Sequence, residues 1–130
     1  MKIFGIGTDI VNIKRIERSL KRNGSKFKEK IFLPKEIIYC ESKKNSSAFF
    51  AKRFAAKEAL SKAIGLGIRK NIIFKNIEIS NNNYGKPSIK LKSKLRSYLR
   101  KKIKNKKYYI YLSLSDDAPW AMATVIISYK

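Results

Sequence analysis

The chain contains no histidine, so neither a Ser-His-Asp nor a Cys-His catalytic arrangement can be assembled from it. Its single cysteine, Cys40, has no partner for an intrachain disulfide, which fits a reducing compartment. With no second cysteine and no histidine, a Cys/His metal centre is excluded as well. Cys40 is therefore expected to be a packed side chain. A Gly-x-x-x-x-Gly-Lys-Ser/Thr phosphate cradle is missing. No apolar run approaches the roughly 20 residues of a membrane-spanning helix, and Asp9 interrupts the opening MKIFGIGTDIV before it could serve as a signal-peptide core. A cytoplasmic protein with no membrane partner is the expectation. Acids are scarce too: 9 Asp and Glu against 31 Lys and Arg give a formal net charge of +22. Such an excess ordinarily points to a polyanionic partner. Its make-up tempers that reading, because 24 Lys outnumber 7 Arg amid many Ile and Asn, the bias that an adenine- and thymine-rich genome imposes on tolerant surface positions.

What is present fits one domain over residues 1–130, a length that buries roughly two thirds of its unfolded surface. Residues 2–11 alternate and are bounded by glycines, which reads as an opening strand with Asp9 near its end. Gly5 and Gly7 weaken a strand, and close approach of another backbone or a ligand is a reason to keep them. Asp9 or Asn12 is placed to cap the helix that follows. Over residues 12–22, Ile13, Ile16 and Leu20 recur at helical spacing while Lys14, Arg15, Arg18, Lys21 and Arg22 fill the other faces. Phe27, Ile31 and Phe32 anchor a second basic stretch. PKEIIYCES reads as a short helix with Pro34 in its first turn, and a long central helix runs from about Ser47 to Ile64 with Phe49, Phe50 and Phe54 buried. Residues 72–80 and the alternating Ile89 and Leu91 flank NNNYGKP, a hairpin pattern. Residues 90–107 carry Leu91, Leu95, Leu99 and Ile103 at steps of four, a helix with one apolar stripe. Residues 109–115 and 120–129 form the last two strands. Helix-period and strand-period segments mix without regular βαβ alternation, so the fold class is α+β, a long central helix packed on a small antiparallel sheet.

The chemistry gathers on FAAKEALSKAIG, residues 54–65. An α-helix advances about 100° per residue, so Glu58 and Lys62 share one face, and Lys57 and Ser61 form the adjacent row. Ala55, Ala56, Ala59 and Ala63 have little bulk and let a neighbouring backbone come close. On spacing alone, Glu58 and Lys62 could be an ordinary exposed pair. With Asp9 they offer two carboxylates amid many cations, a set that suits a hard divalent ion bridging a diphosphate.

RFAAKEALSKA closely resembles the motif of the 4′-phosphopantetheinyl transferases, and within them the small holo-acyl-carrier-protein synthases. The likeness extends to GIGTDIV, to the run from RIE to YC, to YGKPSI and to SLSDD, in the expected order over nearly the whole chain. It implies transfer of 4′-phosphopantetheine from coenzyme A to a serine of apo-acyl carrier protein, releasing adenosine 3′,5′-bisphosphate. It also implies Mg²⁺ on Asp9 and Glu58, with Glu58 and Lys62 as the catalytic pair. Glu58 or a metal-bound water would accept the serine proton. Arg53, Lys57, Ser61, Lys62, Tyr84, Gly85, Lys86 and Pro87 would contact coenzyme A. The helix bearing Lys14, Arg15, Arg18, Lys21 and Arg22 would dock the acidic carrier protein, and a homotrimer would place its sites between subunits. The chain departs from the family at Asp116 and Tyr111, where many relatives carry histidine, so no phosphate or base role passes to Asp116. The rival from another class is a small basic RNA-binding module: residues 86–107 hold eleven Lys or Arg and no acid, a strong salt-dependent attraction for phosphates. Its tyrosines fall in no RNA-binding motif, which makes nucleic acid the less favoured partner.

Overall fold

The computed structural model describes residues 1–67 and 74–130. Strand β1 (Lys2–Asn12) leads through helices α1 (Ile13–Asn23), α2 (Ser25–Ile31) and α3 (Pro34–Glu41) to the long helix α4 (Ser46–Ile64). The hairpin β2 (Ile77–Asn81) and β3 (Pro87–Leu91), helix α5 (Ser93–Lys102) and strands β4 (Tyr108–Asp117) and β5 (Trp120–Tyr129) follow. β1, β5 and β4 form an antiparallel sheet in that order, and β2 with β3 a separate two-stranded one. This is the α+β fold expected, with α4 laid across β1 and β5.

Glycine explains how close that packing is. A Cβ on Gly7 would overlap the carbonyl oxygen of Ala59, and one on Gly5 that of Ala63. The two glycines thus admit the α4 backbone, as the sequence suggested, and the alanines across from them complete a seam without side-chain bulk. α4 is buried nearly all round, from Ala48 and Phe50 through Ala55, Ala56, Ala59, Leu60 and Ala63. Removing that much apolar surface from water at about 25 cal/mol per Å² makes the helix the spine of the core. Asn12 caps α1 with its Oδ1 accepting from the Lys14 N–H at 2.9 Å. Asp9 is therefore free of the capping duty that the sequence left open.

Three segments differ from the reading of the sequence. The stretch around Phe27 is a helix of its own, α2, started at Gly24 with φ +49°. The stripe over residues 90–107 is shared between elements: Leu91, Leu95, Leu99 and Ile103 are all buried, but Leu91 reaches the core from β3 and only Ser93–Lys102 is helical. Spacing by four continues into the strand because both elements cover the same core. Ile72, the start of the first hairpin arm in the sequence reading, lies outside the described residues, and the strand proper begins at Ile77.

Candidate active site

Three of the side chains singled out in the sequence meet where β1 ends against α4. The Lys62 Nζ donates to Asp9 Oδ1 at 3.2 Å and to the Thr8 carbonyl at 2.9 Å. The Asp9 side chain is 17% exposed and that of Lys62 55%, so the pair stands at the rim of the seam with the ammonium outward. Glu58 is half-buried one turn before Lys62. Burial makes its carboxyl hold a proton more tightly than usual, the Asp9 charge adds to that, and Lys62 and Arg15 partly offset it. The two carboxylates are thus close enough to repel, in a setting that would welcome a cation. Among the described residues no three or more Asp, Glu, Cys or His side chains are grouped so as to hold a metal ion by themselves. The pair fits Mg²⁺, which takes one or two carboxylates and completes its shell with phosphate oxygens and water.

The adjacent row of α4, assigned to coenzyme A by the resemblance, points inward. Lys57 is fully buried. Its Nζ donates to Glu36 Oε1 at 2.7 Å, to the Ile31 carbonyl at 2.8 Å and to the Phe74 carbonyl at 3.1 Å, which spends all three N–H donors. Burial lowers its proton affinity while Glu36 opposes the change. Ser61 is also buried, its hydroxyl donating to the Glu58 carbonyl one turn back at 2.7 Å. In this structure the donors of both side chains are spent on partners within the protein.

A second group gathers at the hairpin. Arg53 is 2% exposed, its Nη2 donates to Asn81 Oδ1 at 2.6 Å, and its guanidinium lies 4.2 Å above the Tyr39 ring. Its Nε is buried without a partner. Asn81 in turn donates to the Gly85 carbonyl at 2.9 Å. The turn is closed by Asn82, whose Oδ1 accepts the N–H groups of Tyr84 and Lys86, and Gly85 supplies the left-handed φ of +83° that it needs. Arg53, Gly85 and Pro87 line one cavity of ≈ 140 Å³ with Lys52 and Asn81; Tyr84 and Lys86 project into solvent. The sequence reading missed Lys52 and Asn81. Asn81 could have been flagged as the first of three asparagines at a turn; Lys52 had no signal beyond adjoining Arg53. At the position where relatives often carry histidine, Asp116 pairs its Oδ1 with Lys52 Nζ at 3.1 Å.

On α1, Lys14, Arg15, Arg18, Lys21 and Arg22 are exposed. Arg15, Arg18 and Arg22 border a ≈ 190 Å³ hollow, Lys21 is tied to Glu17 at 3.3 Å, and Arg15 leans over the Phe54 ring at 5.9 Å. Arg15 therefore belongs partly to the Glu58 surroundings.

A carboxylate from β1 and one from α4 beside the Lys62 ammonium make a set suited to a divalent ion with phosphate oxygens. The chain belongs to the 4′-phosphopantetheinyl transferase superfamily, whose profile matches residues 5–125. It is 42% identical over 130 residues to the holo-[acyl-carrier-protein] synthase of Pelagibacter ubique, covering all of both chains. The crystal structure of the synthase from Neisseria meningitidis superposes with a TM-score of 0.85 at 38% identity, over 97% of this chain and 98% of that one. The Helicobacter pylori synthase in complex with coenzyme A gives 0.82 at 40% identity, over 95% and 99%.

Proposed function

We propose that the chain, as one domain over residues 1–130, transfers 4′-phosphopantetheine from coenzyme A to a serine of apo-acyl carrier protein. The observation that carries this is the convergence of Asp9, Glu58 and Lys62 at one point of the seam in a chain whose full-length relatives are holo-[acyl-carrier-protein] synthases. Asp9 and Glu58 would hold Mg²⁺, which when bound neutralises the diphosphate and polarises the phosphorus under attack. Lys62, half exposed and already turned to the Asp9 carboxylate, offsets charge growing on the departing phosphate. The serine proton passes to Glu58 or to a water beside it. Arg53 and the Gly85–Pro87 turn border the place of the nucleotide, and the exposed cations of α1 steer an acidic carrier. Incubation with coenzyme A, Mg²⁺ and apo-carrier followed by mass measurement tests the reading: a carrier gaining one phosphopantetheine supports it, and an unchanged carrier refutes it.

A homotrimer is supported by the outer face of the β1-β5-β4 sheet. The register sets Ile6, Ile126 and Tyr111 in one row and Ile10, Met122 and Ser115 in another. Ile6 is 65% and Ile10 58% exposed, an apolar patch that soluble chains ordinarily cover. Sedimentation should give a trimer that Ile10→Lys with Met122→Lys breaks apart; a stable, active wild-type monomer would remove the claim.

A further inference from the structure

A cluster of cations at the far end of the molecule has no part in the reaction centre. Arg96 and Arg100 lie one turn apart on α5, and across from them Asn105, Lys106, Lys107 and Tyr108 complete a hollow of ≈ 410 Å³ with no acidic residue in its lining. The turn that joins the two sides holds Lys104 and Asn105 in the left-handed region, φ +55° and +60°, which is uncommon for a lysine. It is closed by the N–H groups of Asn105 and Lys106 on the carbonyls of Arg100 and Ile103, at 2.7 and 3.2 Å. Among the described residues none of the four cations makes an ion pair, and residues 79–115 contain no Asp or Glu. Genome bias would spread lysine over any tolerant surface, but here 8 of the 15 residues 93–107 are Lys or Arg, against 31 of 130 in the chain. The charge is therefore concentrated. It is also remote: Tyr108 opens β4 at the end of the sheet where Lys2 begins β1, whereas Asp9 is level with Leu114, six strand residues or about 20 Å away.

We propose that α5 and the turn after it adsorb to the headgroups of an anionic phospholipid bilayer. Clustered Lys and Arg on an amphipathic helix are attracted to such a surface through charge alone. The apolar stripe of α5, Leu95 and Leu99, is buried in the core, so the contact stays at headgroup level. A protein partner fits less well, because stable interfaces are anchored by aromatic or apolar side chains in pockets and the lining of the hollow offers only the half-buried Tyr108. A single nucleic-acid strand stacks its bases on aromatic faces, and here the nearby rings are already covered by ammonium groups of the protein. Lys102 lies 5.4 Å from the Tyr98 ring, Lys106 5.6 Å from that of Tyr129 and Lys107 5.3 Å from that of Tyr109. Tyrosine among lysines is the composition found at the level of lipid headgroups. Adsorption there leaves Asp9, Glu58 and Lys62 toward the opposite end of the sheet, clear of the lipid.

Sedimentation with vesicles of mixed phosphatidylglycerol and phosphatidylcholine, against phosphatidylcholine alone, measures the partition coefficient. Wild type should partition to the anionic vesicles only, and less as added salt shortens the screening length. Arg96→Gln, Arg100→Gln, Lys106→Gln and Lys107→Gln together should lower the coefficient at least about 25-fold, the loss when two of the four touch the surface at about fivefold each. Removing four exposed charges elsewhere, with Lys26→Gln, Lys30→Gln, Lys44→Gln and Lys75→Gln, should lower it less than about fivefold. Arg96→Lys with Arg100→Lys should bind as wild type does, because a bilayer responds to charge and not to the guanidinium fork. All the altered side chains are exposed, so each variant should keep the wild-type circular dichroism spectrum. A wild type left in the supernatant would overturn the proposal, and so would equal losses in the two fourfold variants, which would reduce the effect to net charge. Loss of binding in the Arg-to-Lys variant, or tighter binding of a single-stranded RNA than of the vesicles through the same four residues, would overturn it as well.

Discussion

Lys57→Met separates a structural lysine from a phosphate-binding one. In the native chain the Lys57 ammonium and the Glu36 carboxylate are 0% and 1% exposed, and the carboxylate is fully engaged: Oε1 accepts from Lys57 and from the Leu33 N–H at 2.8 Å, and Oε2 accepts from the Ile79 N–H at 3.0 Å. Removing the ammonium leaves a buried carboxylate facing two neutral donors, and two carbonyls, of Ile31 and Phe74, lose their partner. Breaking such a pair costs about 3–5 kcal/mol, about a fifth or more of the roughly 5–15 kcal/mol that holds a domain together. At this chain length that lowers Tm by about 10–20 °C. Glu36→Gln should cost a similar amount, because the amide would turn an N–H toward the N–H of Leu33 or Ile79. Since the two changes strike one network, the double variant should be more stable than the sum of the singles predicts by about 1–3 kcal/mol. Denaturant midpoints with matched m-values give these quantities, and transfer assays well below the midpoint give activity per folded molecule. That activity, and the KM for coenzyme A, should stay within a few-fold of wild type. A Lys57→Met protein of native stability with a greatly raised KM for coenzyme A would refute the reasoning and return Lys57 to the substrate.

Asp9→Asn and Glu58→Gln each keep shape while removing charge, so each should cut turnover about a hundredfold or more and weaken calorimetric Mg²⁺ binding, with the circular dichroism spectrum unchanged; near-normal turnover in either would clear that residue of a metal role. Arg18→Glu, chosen over Arg15 because Arg15 also touches Phe54 and the Glu58 field, should raise the carrier KM several-fold at low salt. The effect should shrink as the screening length falls to about 8 Å near 0.15 M, with the coenzyme A KM unmoved. Burial pushes the Cys40 thiol up to about 12 from its ordinary 9.0. The native state then keeps a proton that the unfolded chain releases, and stability should fall as pH climbs from 9.0 toward 12, less steeply in Cys40→Ala. For the same reason a thiol reagent at pH 8 should modify Cys40 only in the unfolded chain.

Much of this was legible from periodicity. The residue 91–103 stripe marked buried positions, the apolar steps of α1 marked two buried positions and the half-buried Leu20, and the glycines at 5 and 7 marked a close approach. The RFAAKEALSKA likeness names the family from sequence alone. What periodicity could not supply was direction. Spacing groups Lys57 with Ser61 and Glu58 with Lys62, but says nothing about which row meets solvent, and a lysine beside a serine reads as polar surface. Its burial depends on Glu36, 21 residues away in sequence, whose position as the third residue of α3 pointed equally well to an exposed capping role.

The direction follows from the seam once the partners are known. Two strand residues advance about 6.8 Å and four helical residues about 6 Å, so Gly5 and Gly7 can meet Ala63 and Ala59 in step as strand and helix run antiparallel. Strand alternation then turns Asp9 to the same face as the two glycines, one step further toward the N-terminus of α4. Side chains on a helix lean toward its N-terminus, so Glu58 and Lys62, each one position before a seam alanine, both reach back along α4 toward Asp9. A larger residue at 5 or 7 would lift the helix and part all three groups. The proposed reaction centre therefore rests on two absent side chains, and Gly7→Ala should impair turnover through the seam although it touches no substrate.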